Sequence, residues 1–340
     1  MYTIHNHPED MVEEMLAGYI AANPHLFERV PNTKAIAVKG KRDKVMVLTG
    51  GGAGCEPIYL GLAGQGMADA VVSGNIFAAP SATAILRTIK HIHHEQGIVM
   101  ITGNYVGDVL NYELAVELCQ YEGIEARAVF VKDDIPHAAK EHAEERRGIC
   151  GILCVVKAAA GAADAGLPLN EVERIAKVAT DAVGTVSVTF WPGYRPETGA
   201  PLYQMLADTV ELGMGFNGEP GVEKKHMPSA DQLAEDILQP LIDDLQLTEE
   251  DEILLLVNGK GATSLLELYV LGNSLHRYLE HRRIKVCKTE TGNFFTAPGM
   301  GGVSVTVMKF DAELKRYYCR DSYTPMYTYR DVKGEWEADG

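Results

Sequence analysis

The sequence predicts an α/β protein made of two α/β domains, each with a mostly parallel or mixed sheet flanked by helices. Three observations predict it. Short apolar runs of strand length alternate with helical stretches almost from end to end. Each half carries a glycine-dense segment near an apolar run, Gly50–Cys55 in the first and Gly213–Gly221 in the second. The 340 residues also exceed what one hydrophobic core comfortably supports. A boundary near Val183 divides the chain into residues 1–183 and 184–340.

In the first half, Glu9–Ala22 reads as a helix, with Met11, Met15 and Ile20 set against Glu13 and Glu14. Strands are expected at Ala35–Val38, Val45–Leu48, Ala70–Val72, Ile98–Thr102 and Ala126–Val131, all short apolar runs of the kind buried in sheets. Between them, Ser81–Glu95 opens on a serine N-cap and Val109–Gly123 closes on a glycine. Ile149–Ala165 and Asn170–Val183 follow as helices. The small residues of Ile149–Ala165 suit packing against the sheet or against a second copy of the chain. Trp191–Pro201 is rich in turn formers. The second half alternates strands at Val210–Phe216, Glu252–Val257, Ile284–Lys288 and Val303–Phe310 with helices at Ala230–Leu245 and Thr263–Glu280. The last ten residues are polar and are expected at the surface.

Composition narrows the function classes. Hydrophobic residues make up 46% of the chain and charged residues 23%, as in ordinary soluble proteins. A net charge of −16 argues against a nucleic-acid or anionic-membrane binder, which needs a basic footprint. No apolar run reaches membrane-spanning length and no leader pattern precedes Met11, so a soluble cytoplasmic protein is expected. The 6 cysteines have no disulfide rhythm, and Cys150 and Cys154 sit among apolar neighbours as buried thiols do. His91, His93 and His94 cluster without carboxylates or cysteines at ligand spacing, so no metal site is expected.

Three segments carry the chemistry. A strand that empties into Gly50-Gly51-Gly52-Ala53-Gly54-Cys55 brings bare backbone N–H groups towards a small polar ligand; a ligand-free tight turn is the alternative. No Lys-Ser or Lys-Thr follows, so it is not a P-loop. Pro57 and the lack of an acidic residue at the next strand's end argue against a dinucleotide fold. Asp108 follows the strand Ile98–Thr102, at the edge where α/β sheets bind ligands. It reads as an N-cap, as a base for a substrate hydroxyl, or as both. Gly213–Gly221 is a turn or the opposite wall of the same site.

Taken in order, these segments resemble the dihydroxyacetone (glycerone) kinases, in particular their sugar-binding K subunit. The resemblance runs through VEEMLAGYIAANP, GQGMADAVVSGNIFAAPS, GNYVGDVLNYELA, GMGFNGEPG, VNGKGATSLLELY and TGNFFTAPGMGGVSVTVMKFD. It implies a homodimer that binds a small ketose or polyol. It also implies phosphoryl transfer from Mg-ADP or Mg-ATP held on a separate all-helical, L-type nucleotide subunit. Bacterial versions draw the phosphate from a phosphotransferase-system subunit. No cofactor is expected on this chain itself. The resemblance places substrate binding at Gly51, Gly52, Ala53, Gly54, Cys55, Gly103 and Asn217, and the base at Asp108.

Three positions depart from the family. Histidine is usual where Cys55 stands, and lysine where Gly103 stands. The histidine that captures the ketose carbonyl as a hemiaminal is replaced by Asn217. An amide nitrogen is conjugated to its carbonyl and does not add to a ketone. At the ceiling of about −1.5 kcal/mol per heavy atom, a triose bound without a covalent bond reaches roughly −9 kcal/mol, about micromolar. Gly103 is expected to enlarge the pocket. Cys55 is either a small filler or, if a helix N-terminus depresses its pKa, a nucleophile. Two functions follow: the acceptor-binding subunit of a divergent kinase, or a catalytically inactive paralogue acting as a metabolite-binding regulator.

Overall fold

A computed structural model describes residues 3–40, 43–93 and 95–330. Helix α1 (Met11–Ala22) leads into β1 (Phe27–Val30), β2 (Ala35–Val38), β3 (Met46–Ala53) and β4 (Ala70–Ile76). Then come α2 (Ala82–Ile92), β5 (Ile98–Gly103), α3 (Val106–Tyr121) and β6 (Ala126–Val131). These strands form a six-stranded sheet of order β1-β2-β4-β3-β5-β6, parallel from β4 to β6 and antiparallel at the β1–β2–β4 edge.

Two helices follow, α4 (Gly151–Asp164) and α5 (Leu169–Asp181). The second sheet takes β7 (Val183–Trp191), β8 (Thr209–Leu212), β9 (Glu223–His226), β10 (Glu252–Gly259), β11 (Lys285–Gly292) and β12 (Gly301–Phe310). Between them run α6 (Ala230–Leu245), after β9, and α7 (Leu265–His281), after β10. The order is β11-β10-β12-β7-β8-β9, and only the β10–β11 pair is parallel. The chain then forms α8 (Ala312–Tyr318) and a short hairpin, β13 (Ser322–Tyr323) with β14 (Thr328–Tyr329).

Alternation along the strands explains the layering. In the first sheet, Leu48, Val72 and Met100 face α2 and α3, whereas Val47, Val71 and Val99 face α4. In the second, Val186, Leu255 and Val305 face α6 and α7, whereas Leu254, Leu256 and Met308 share a core with α4. Helix α4 therefore lies between the sheets and is buried from Gly151 to Ala163. Its run of alanines lets both sheets approach, and a Cβ on Gly161 would stand 2.1 Å from the Tyr317 carbonyl oxygen of α8. Of the two alternatives read from the sequence, packing against the sheet is the one found: the small residues of Ile149–Ala165 are an internal layer of the chain, not a free face for a second copy.

Other elements differ from the sequence reading. Helix α3 begins at Val106, so Tyr105 is the N-cap and Asp108 is a first-turn residue. The expected helix Asn170–Val183 ends at Asp181, and Val183 opens the unforeseen strand β7. The strand expected at Val210–Phe216 stops at Leu212, because Gly213 takes a positive φ of 71°. His91 Nε2 meets Glu28 Oε1 at 2.9 Å, while His94 and the polar residues 331–340 lie outside the described residues. Among the described residues no helix is long and apolar enough to cross a membrane.

Asp133, fully buried just after β6, fixes the head of α4. Its carboxylate accepts from the N–H groups of Ile149 and Gly151, both at 2.7 Å, and from the Thr185 hydroxyl of β7. Its carbonyl accepts from Thr185 N–H at 2.6 Å. Removing the carboxylate leaves the Ile149 and Gly151 N–H groups without this acceptor in the core, while the Thr185 hydroxyl keeps Thr306 Oγ1 at 2.7 Å. Asp133→Ala is therefore expected to cost on the order of 3 kcal/mol in urea denaturation. An unchanged midpoint would show that the clamp is dispensable.

Candidate functional site

The carboxyl ends of the parallel strands β4, β3 and β5 lie side by side, where open α/β sheets bind ligands. Three segments leave them: Phe77–Ala79, Gly54–Tyr59 and Asn104–Asp108. Across from them stand the loop after β8, with Asn217 and Glu219, and Phe295, beyond β11. Together they enclose a cavity of about 320 Å³, at the small end of small-molecule sites. Cys55 Sγ lies 3.4 Å from Asn217 Oδ1, so the two halves of the chain touch across the cavity wall.

The structure brings Gly52, Cys55, Asp108 and Asn217 to this cavity. The other expected positions serve it differently. Gly50-Gly51-Gly52-Ala53 is not a turn; it continues β3, pairing with β4 at Gly50↔Val72 and Gly51↔Ser73 and, after a bulge, at Ala53↔Ile76. A Cβ on Gly50 would meet the Val72 carbonyl oxygen at 2.1 Å, and one on Gly51 the Tyr59 ring at 2.3 Å. The glycines are there for close packing, and the chain turns only at Gly54, with φ 100°. Ala53 and Gly54 border a neighbouring apolar groove instead. Gly103 opens no extra room. Its vacant side is filled by the Gly148 carbonyl, Tyr105 and Ile152, all within 3.2 Å of where a Cβ would lie.

Cys55 is buried and does not cap a helix. Burial, reinforced by the carboxylates of Glu56 and Glu219, pushes its thiol well above the usual range. The nucleophile reading therefore loses its physical basis, and the filler reading fits.

Asp108 stands out among the lining groups. Its side chain is buried, and its Oδ1 has no hydrogen-bond partner among the described residues. A carboxylate in the first turn of a helix is normally favoured by the helix dipole. Burial wins here and raises its pKa to about 7. The hydroxyl of Tyr105 is also buried without a partner among the described residues. An acid that titrates near neutrality in such a cavity is suited to take a proton from a bound hydroxyl.

Among the described residues the lining contains no lysine, arginine or histidine, and its charged groups are the carboxyls of Asp108 and Glu219. A nucleotide triphosphate or an acidic substrate fits such a wall poorly, whereas a neutral polyol or ketose fits it well. His142, Glu144 and Glu145 come close enough together to hold a metal, but they are exposed and form no part of this lining.

Sequence reasoning missed Tyr59, Phe295 and Glu219. Glu219 was within reach, two residues beyond Asn217 in a segment already singled out. It closes the loop by accepting from Gly215 N–H and Asn217 N–H, at 3.1 and 3.0 Å.

Comparison with known proteins agrees with this architecture. The chain is 37% identical over 327 residues to a D-erythrulose kinase of Mycolicibacterium smegmatis, covering 96% of this chain and 56% of that protein. It is 36% identical over 315 residues to the dihydroxyacetone-binding subunit DhaK of a PTS-dependent dihydroxyacetone kinase of Listeria innocua, covering 92% and 95%. The chain thus spans little more than half of the first relative and nearly all of the second. Among solved structures, it superposes on the dihydroxyacetone kinase operon co-activator Dha-DhaQ with a TM-score of 0.88 at 27% identity, covering 94% and 99%. Residues 17–326 match the Dak1 domain, and the chain belongs to that family.

Proposed function

We propose that this chain is the acceptor-binding subunit of a dihydroxyacetone-kinase-like phosphotransferase. The observation that carries the reading is Asp108, a buried acid whose Oδ1 has no hydrogen-bond partner among the described residues, in a small cavity whose described lining holds no basic side chain. The acceptor is a neutral ketose or polyol. Asp108 accepts a proton from the hydroxyl that attacks the phosphorus. The acceptor is held without a covalent bond, because neither Asn217 nor the buried Cys55 thiol adds readily to a carbonyl. The donor, Mg-ADP or Mg-ATP, sits on a helical partner subunit, with a phosphotransferase-system protein as the phosphate source. The likeness to PTS-dependent subunits supports that partnership, and we extend the same reading to a homodimeric, cytoplasmic protein.

A second reading is a regulator that binds the acceptor without turning it over. The match to nearly the full length of a co-activator favours it, as do the substitutions at positions 55, 103 and 217. The two readings part in one assay: phosphorylation of trioses, tetroses and polyols in the presence of nucleotide and phosphotransfer subunits. Product formation supports the kinase. Acceptor binding with no product from any of them supports the regulator.

Asp108→Asn is expected to lower the transfer rate by about 10²–10⁴-fold while acceptor affinity, measured by calorimetry, changes little. In the wild type the rate should fall as pH drops below about 7, where Asp108 becomes protonated. The same shift has a stability consequence. The folded pKa lies above the unfolded value, so ionising Asp108 costs stability. That cost is absent below about pH 4 and complete above about pH 7. Asp108→Asn should therefore raise the urea midpoint at pH 8 and do so less at pH 5. A uniform loss of stability would contradict the assignment.

Asn217→His is expected to tighten binding of a ketose about tenfold or more, and to leave the corresponding polyol unchanged. Equal effects on both would show that position 217 does not face the carbonyl.

A further inference from the structure

Lys260 has no part in the chemistry described so far, although it sits in one of the segments shared with the family. It follows β10 directly and is completely buried. Its ammonium donates to Thr189 Oγ1 on β7 at 2.8 Å and to the Met214 carbonyl at 2.9 Å. It also lies 4.3 Å from the centre of the Phe216 ring. Asp134 and Glu219 act on it favourably from further off, and the Arg147 guanidinium opposes them. Burial prevails and lowers its pKa to about 7.

An apolar side chain of the same volume would fill this position without the desolvation cost of a cation. The contacts show what the charge holds. Gly213 and Met214 begin the loop that carries Asn217 and Glu219, and their carbonyls turn inward to two buried cations. The Gly213 carbonyl accepts from Arg147 at 2.7 Å, and Arg147 is itself fixed by Asp134 at 2.7 Å. The Met214 carbonyl accepts from Lys260 and from Ser187 Oγ, the latter at 3.0 Å. Phe216, capped by Lys260, stacks on Phe295 with ring centres 4.2 Å apart, and Phe295 lines the cavity. The amine itself does not line the cavity, so it is not placed to react with a ketone.

We propose that Lys260 is a positioning residue of the acceptor site. Through the Met214 carbonyl and the Phe216 ring it sets where Asn217 and Glu219 stand relative to Cys55 and Asp108. It therefore governs how tightly the acceptor binds rather than how fast the phosphoryl group moves. The kinetic part rests on the kinase reading; the ordering of the loop does not.

The test uses Lys260→Met, which keeps the volume and removes the charge and both donors, and Lys260→Gln, which keeps a donor for Met214. Hydrogen exchange of the whole chain is followed at residues 213–221 and, as an internal reference, at residues 106–121. Lys260→Met should speed exchange in the loop about tenfold or more and leave the reference helix unchanged, with Lys260→Gln in between. In the reconstituted assay, the acceptor KM should rise about tenfold with kcat within about twofold of wild type. If Lys260→Met does not fold, the same comparison is made with Lys260→Gln, which should show the same changes in smaller measure. Unchanged loop exchange, or a fall in kcat at constant KM, would overturn the proposal. Faster loop exchange in the variant, with no acceptor phosphorylated even by the wild type, would leave the positioning role standing and remove the kinase reading.

Discussion

The hydrogen bonds of Asp133 hold together the arrangement on which the site depends. One buried carboxylate, at the end of the first sheet's edge strand β6, binds the first N–H groups of α4 and the Thr185 hydroxyl of the second sheet. It is pushed up to about 6 by burial, against the pull of the donors around it. The clamp fixes the central helix to both sheets at one end. The alanines and Gly161 of that helix then set the spacing along the rest of its length. Neither sheet builds the cavity alone. The first contributes Cys55 and Asp108, the second contributes Asn217 and Phe295, and the 3.4 Å contact between Cys55 and Asn217 is possible only if the spacing is right.

Around the cavity the fold tolerates several groups that a core normally avoids. Asp108 is a buried acid with an oxygen unpartnered among the described residues, Tyr105 likewise has a buried hydroxyl without a partner, and Lys260 is a buried amine. Each destabilises the folded state to some degree. A buried acid with a raised pKa in a cavity wall is a common mark of a site kept for chemistry rather than stability.

Much of this was legible in the sequence. The alternation of apolar runs and amphipathic helices gave the fold class. The glycine-dense segments with Asp108 between them named the pieces of the site. What stayed hidden has physical causes. Strand β7 follows α5 with one residue between them, so the change of period carries no turn residue to announce it. Glycines 50–52 suggested a turn because consecutive glycines weaken a strand; the need for them lies in a carbonyl and a tyrosine ring distant in sequence. The space expected beside Gly103 is taken by the backbone of Gly148, and pairwise packing of that kind leaves no local trace. Lys260 was not singled out in the sequence, because nothing nearby in sequence reveals its contacts with Thr189 and Met214.

The central claim is that a neutral ketose occupies the cavity beside Asp108 without a covalent bond to the protein. Carbon-13 NMR of a ketose labelled at its carbonyl carbon, titrated with the chain, tests it directly. The claim predicts that the carbonyl resonance broadens and shifts but remains that of a ketone, and that a bulky substitution at Cys55 abolishes the change. A new tetrahedral-carbon resonance from a protein adduct would contradict it, as would a carbonyl signal indifferent to the protein.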